Sequence, residues 1–234
     1  MTTKPASIWE DFIDIFVSPS EVFERRRSSG FFVPLIVFVV LTVVISILGR
    51  GAMQPILDAE FARGIASAAK QNPGMTPEAM DKARAFSEKF IPVFIAFGAL
   101  IMPLLVGVAL WIAGKFVGAK EDIGAACMIA VYSFLPRILD TILRMVQALV
   151  LDPSTLNGQY RVALSPARFL DPDTASPVVI ALLGRIDVFT IWVTILLAIG
   201  LSVVARIPRS RAAVAAGVVW VLGALPAIFG ALRA

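Results

Sequence analysis

Gly124-Ala125-Ala126-Cys127-Met128-Ile129-Ala130-Val131-Tyr132-Ser133-Phe134-Leu135-Pro136-Arg137-Ile138-Leu139-Asp140-Thr141-Ile142-Leu143-Arg144-Met145-Val146-Gln147-Ala148-Leu149-Val150-Leu151 is the stretch that decides the fold. As a helix rising 1.5 Å per residue it is about 40 Å long, more than the ~30 Å of a bilayer's hydrocarbon core. Such a rod must tilt, bend at Pro136 or protrude. It carries Arg137, Asp140 and Arg144 at i, i+3 and i+7, so the three share one helical face. A charge at membrane depth costs about 2.5–3.5 kcal/mol on insertion scales, so these groups should face partners or a wet cavity.

Working outward, four more stretches are long and apolar enough to cross, giving spans at about 31–48, 91–115, 124–151, 178–207 and 212–232. The expected fold is all-α: a polytopic integral membrane protein with five transmembrane helices, an N-terminal amphipathic helix and a helical extracytoplasmic loop. Composition agrees, with 58% hydrophobic and only 16% charged residues, where soluble domains carry about 25% charged. The mean hydropathy is +0.85. The net charge of +4 does not point to nucleic acid, because the basic residues flank spans, where they set orientation. There is no histidine, and Cys127 is the single cysteine. An intrachain disulfide is thereby excluded, as are zinc and haem sites built on His and Cys. No metal and no cofactor are expected.

Residues 1–30 read as a cytoplasmic helical segment ahead of a membrane domain over 31–234. Ser7 with Glu10 makes a capping box, and Ile8, Phe12 and Phe16 recur at helical spacing as far as Val17. The polar face holds Glu10, Asp11 and Asp14 rather than the Lys and Arg of a lipid-adhering helix. It is therefore expected to pack against the protein's own spans near the headgroups. Ser18 is the expected cap of a second helix, with Pro19 in its first turn and Arg25-Arg26-Arg27 at its end. The acidic residues break any cleaved-signal pattern, so the first span is expected to act as its own uncleaved insertion signal.

The segment at about 50–90 is too long to be structureless. It reads as two solvated helices, about 55–71 and 77–90, divided by Asn72-Pro73-Gly74. Pro92 and Pro103 should bend the second span. Residues 152–177 form a polar loop with an Asn157-Gly158 turn, and Ala213 with Gly217 has the small-xxx-small spacing that permits close helix approach. Arg25-Arg26-Arg27 and the Arg206–Arg211 turn place the N-terminus in the cytoplasm and the C-terminus outside the plasma (inner) membrane.

The third span's charges are joined by Arg185 and Asp187 in the fourth, at matching depth if the two helices are antiparallel. One reading of Arg137, Asp140, Arg144, Arg185 and Asp187 is a polar site for a phosphate-bearing lipid headgroup or another anion, to which an Arg fork is suited. The others are a network that only fixes helix register, and charges that sit near the outer headgroups because the spans are long. Tyr132 and Pro136 mark a candidate hinge; the plainer reading is a proline kink whose freed backbone groups Tyr132 and Ser133 satisfy.

Trp9…Phe16-Val17-Ser18-Pro19-Ser20-Glu21-Val22-Phe23, Tyr132-Ser133-Phe134-Leu135-Pro136, and Asp187-Val188-Phe189-Thr190-Ile191-Trp192 leading to Gly200-Leu201 together carry a resemblance. On them the chain resembles the Yip (Ypt-interacting protein) family of five-span membrane proteins, in its bacterial branch. The resemblance implies five spans and a cytoplasmic N-terminus. Eukaryotic members are associated with prenylated Rab GTPases and vesicle traffic, but their Asp-Leu-Tyr-Gly-Pro signature is absent here, and no catalytic residue is carried over.

The expected function is a non-enzymatic, Yip-type membrane component that binds proteins or organises the membrane. Its expected partners are the bilayer, another membrane protein or an anionic lipid headgroup, with a homo-oligomer compatible. The alternative is a small oligomeric transporter or channel using the Arg/Asp cluster. An intramembrane enzyme is disfavoured: His-Glu-x-x-His is impossible, no Gly-x-Ser-x-Gly elbow occurs, and nearby arginines would keep Asp140 and Asp187 ionised.

Overall fold

In a computed structural model that describes residues 7–72, 74 and 76–232, all regular structure among the described residues is helical. The chain's two ends and Pro73, part of the expected divider, lie outside the described residues. The helices are α1 (Ile8–Val17), α2 (Pro19–Arg25), α3 (Phe32–Leu48), α4 (Arg50–Gln71), α5 (Pro77–Phe116), α6 (Ile123–Ser133), α7 (Pro136–Val150), α8 (Pro177–Arg185), α9 (Val188–Ala205), α10 (Arg209–Leu222) and α11 (Leu225–Ala231). Pro77–Phe116, Ile123–Val150, Val188–Ala205 and Arg209–Ala231 are each long and apolar enough to cross a membrane. α3 reaches that length only together with α4, from which it is bent by 83°. There are thus four crossing-competent helices, or up to five if the bent pair is one span.

Three segments depart from the sequence reading. The helix expected at 77–90 and the span expected at 91–115 are one 40-residue helix, α5, which runs through Pro92 and Pro103. The rod expected over 178–207 is two helices, parted at Ile186-Asp187. There the Val188 N–H donates to the Leu164 carbonyl at 3.1 Å instead of a helical partner. The loop at 152–177 holds three 3-10 turns and buries Leu156, Val162, Ala163 and Ala167.

The chain divides into two compact units. The first takes in residues through 41, 98–139 and 189–223. Its core packs Ile15, Phe23, Leu110, Met128, Ile129, Leu135, Leu196 and Leu201 with the small residues Ala212, Ala215 and Ala216. Close helix approach occurs at Gly107, where an added Cβ would lie 2.7 Å from the Cys127 Cα. It also occurs at Gly200, where one would lie 2.5 Å from an Ile129 methyl. The expected Ala213/Gly217 pair is not such a place: Ala213 is exposed, and nothing lies within 4 Å of a Cβ on Gly217.

The second unit takes in 42–97, 140–188 and the residues from 224 on. Its small core joins Ile56 of α4 and Ala148 of α7 to Leu156 and Val162 of the loop. The Gln147 amide donates to the Val162 carbonyl at 2.9 Å, and the Glu60 carboxylate accepts from the Gln159 N–H at 3.0 Å. Burial of a few apolar loop residues, with the loop's backbone polar groups satisfied from α4 and α7, explains why so polar a segment is ordered.

Candidate functional site

α1 starts on the expected capping box, the Ser7 hydroxyl accepting from the Glu10 N–H at 3.2 Å and the Glu10 carboxylate from the Ser7 N–H at 2.6 Å. Ser18 makes no side-chain cap for α2. Its N–H instead donates to the Asp14 carbonyl at 2.7 Å, closing α1. One member of α1's polar face, Asp11, is fully buried. A buried carboxylate survives only when paired and hydrogen-bonded, and Asp11 is both. Arg25 Nε donates to one of its oxygens at 2.6 Å and Arg26 Nε to the other. The Tyr132 hydroxyl adds a third donor at 3.3 Å. Arg25 also reaches Asp14.

This clamp joins α1, α2 and α6. Ile15 is fully buried beside it, and Phe16 meets Trp192 edge-on at 5.5 Å between ring centres. The opposite flank of α1 stays open, with Trp9 63%, Ile13 69% and Val17 74% exposed. The sequence reading assigned the arginine triplet to orientation alone and missed the clamp. The available signal was an acidic helix face followed, 14 and 15 residues later, by two arginines.

Of the singled-out residues, Tyr132 and Pro136 flank a break at Phe134-Leu135. Tyr132 does not satisfy the freed backbone, contrary to expectation; its hydroxyl goes to Asp11. The backbone serves itself, with the Leu135 N–H donating to the Tyr132 carbonyl at 3.2 Å and the Arg137 N–H to the Phe134 carbonyl at 2.9 Å. The Ser133 hydroxyl is buried without a hydrogen-bond partner among the described residues. Arg137 donates to the Thr190 hydroxyl at 2.7 Å.

The second unit brings Asp140, Arg144 and Asp187 together. Arg144 Nε donates to Asp140 at 2.7 Å, its Nη2 lies 3.8 Å from Asp187, and its Nη1 donates to the Gln159 carbonyl at 3.4 Å. Both carboxylates are buried. Arg185 closes α8 and is also engaged.

Glu121, in the turn between α5 and α6, is buried without being paired. Lys115 donates to its backbone carbonyl at 2.6 Å, while neither carboxylate oxygen has a hydrogen-bond partner among the described residues. Burial pushes its carboxyl above the usual range, outweighing the opposite pull of its own backbone N–H and then of the Lys115 charge, while Asp122 adds to the rise. No group of three or more His, Cys, Asp or Glu side chains able to hold a metal occurs among the described residues.

No curated protein and no solved structure matches the chain. A family model described as the Yip1 domain matches residues 13–230.

Proposed function

The chain belongs to the Yip1 domain family and is a multi-pass membrane protein, and from that premise we propose that it is a non-enzymatic component that binds another membrane protein or organises lipid, akin to a trafficking factor. The observation that carries this reading is α1. Its inner face is locked by Asp11, yet it turns Trp9, Ile13 and Val17 outward. A rigidly held helix with an open apolar ridge has already met its ordering cost, which favours docking. The missing Asp-Leu-Tyr-Gly-Pro signature favours a place in the bacterial branch and a partner other than a prenylated Rab GTPase.

Five crossings belong to the same reading. Arg27, just before α3, donates to the Val204 carbonyl near the end of α9 at 2.6 Å. Arg27, Lys120, Asp122 and Ala205 line one cavity of the first unit. The start of α3, the α5–α6 turn and the end of α9 therefore gather at one end. A chain that leaves by α3, returns by α5, leaves by α6–α7, returns by α9 and leaves by α10 crosses five times. Arg25, Arg26, Arg27, Lys115, Lys120, Arg206, Arg209 and Arg211 lie at or next to those helix ends, which favours a cytoplasmic N-terminus in the plasma or inner membrane. The transport alternative draws no support, because Asp140, Arg144 and Asp187 are taken up in ion pairs.

A photo-reactive amino acid at position 13, activated in intact cells, should yield a reproducible protein or lipid adduct that position 15 does not. Equal labelling from the buried position 15 would remove the proposal. Impermeant thiol labelling of single cysteines placed at the two chain ends, in a Cys127→Ser background, should report opposite compartments.

A further inference from the structure

We propose that the second unit holds a binding site for an anionic acyl lipid, with one chain in an apolar cavity and the acidic head on Arg50. The cavity has a volume of about 180 Å³ and is walled by Ile47, Met53, Ile91 and Met145, with Arg50 and Arg144 also among its lining residues. An apolar void of about 150 Å³ already admits a six-carbon ring, so this one takes a run of several methylenes. In a membrane such a chain gains little by leaving lipid for protein. What it gains is close dispersion contact with the cavity walls.

The head's place is set by charge. Arg144 is satisfied by Asp140, Asp187 and the Gln159 carbonyl. Arg50 is exposed and has no hydrogen-bond or ion-pair partner among the described residues. The carboxylates that share a smaller cavity with Arg50, Asp58 and Glu88, are no substitute, because both are engaged by Arg84. Arg50 opens α4 directly after the 17-residue apolar α3, so the proposed crossing by α3 alone puts it where hydrocarbon gives way to headgroups. A guanidinium there can grip a carboxylate or phosphate at two points. One of the three sequence readings of the Arg137–Asp187 cluster is an anion site; the head is placed instead on Arg50, which none of those readings includes. The site uses no residue of α1, so it stands or falls independently of partner docking.

The test uses the full chain in phosphatidylcholine nanodiscs, doped in turn with diazirine-bearing phosphatidylglycerol, a diazirine-bearing fatty acid or diazirine-bearing phosphatidylcholine, with adducts mapped by peptide. The expected result is labelling near Met53, Ile91 or Met145 by an anionic probe. Arg50→Gln should lower it about tenfold, the effect of one charge-assisted bond, with an unchanged melting temperature because no protein partner is lost. Ile91→Phe, which fills the void, should lower it as well. Labelling by phosphatidylglycerol identifies a membrane phospholipid, and labelling by the fatty acid a free acid. Equal labelling by phosphatidylcholine, no adduct on these peptides, or indifference to Arg50→Gln would each overturn the proposal.

Discussion

The Tyr132 hydroxyl of α6 donates to the Asp11 carboxylate of α1 at 3.3 Å, joining residues 121 positions apart. The same carboxylate takes Arg25 and Arg26, so one buried charge ties three helices. Removing Asp11 leaves two guanidinia without their shared acceptor, whereas removing the hydroxyl leaves the ion pairs intact. Asp11→Ala should cost about 2 kcal/mol and Tyr132→Phe about 1 kcal/mol, read as thermal unfolding in detergent. Because the residues touch, the double variant should lose less than the sum. Strict additivity would mean that the bond contributes nothing.

Arg144 sits between two buried carboxylates, Asp140 and Asp187. Truncating the cation leaves both uncompensated, so Arg144→Ala should be the most damaging single change in this group, at about 3–5 kcal/mol. Asp187→Ala alone should cost less, since Arg144 keeps Asp140. Adding Arg144→Ala to Asp187→Ala should give a coupling energy of about 0.5–3 kcal/mol. Unfolding curves of the four proteins in this cycle measure it, and a coupling near zero would deny the pairing.

What could be read from sequence follows from what local chemistry dictates. The Ser7/Glu10 box is a local signal, its partners three residues apart, that tertiary structure left alone. Four of the five apolar stretches lie in helices long and apolar enough to cross a membrane, the length that bilayer thickness demands. The break at Ile186-Asp187 was hidden because its cause, the Leu164 carbonyl, lies more than twenty residues away in the chain. The continuity of α5 through Pro92 was hidden for the opposite reason: proline ordinarily interrupts helices, and nothing local marks the exception. Asp11 looked like one of three equivalent acids in α1, and only the approach of Arg25, Arg26 and Tyr132 makes it the buried one. Arg50 was unremarkable without the cavity beside it.

Glu121 predicts a pH dependence. Burial holds its carboxyl above the usual range, so the folded protein binds this proton more tightly than the unfolded chain. The associated stability is full below the ordinary carboxylate value and is lost as pH rises through the raised one. Melting temperature should therefore fall with increasing pH across the interval just above the ordinary carboxylate range. Glu121→Gln should flatten that slope, because an amide in the same place does not titrate. An unchanged slope in the variant would assign the effect to other groups.

Gly107 and Gly217 make a paired test of where helices meet. A Cβ at position 107 would meet the backbone of Cys127 at 2.7 Å, and backbone cannot rotate aside as a side chain can. Gly107→Ala should force α5 from α6 and cost about 1–3 kcal/mol, the usual range for overpacking. Gly217 has nothing within 4 Å, and alanine there removes backbone entropy from the unfolded chain, so Gly217→Ala should be neutral or stabilise by up to about 1 kcal/mol. Detergent melting of both variants distinguishes the outcomes. A large loss at 217 with none at 107 would return the close approach to the Ala213/Gly217 pair and move it away from α5 and α6.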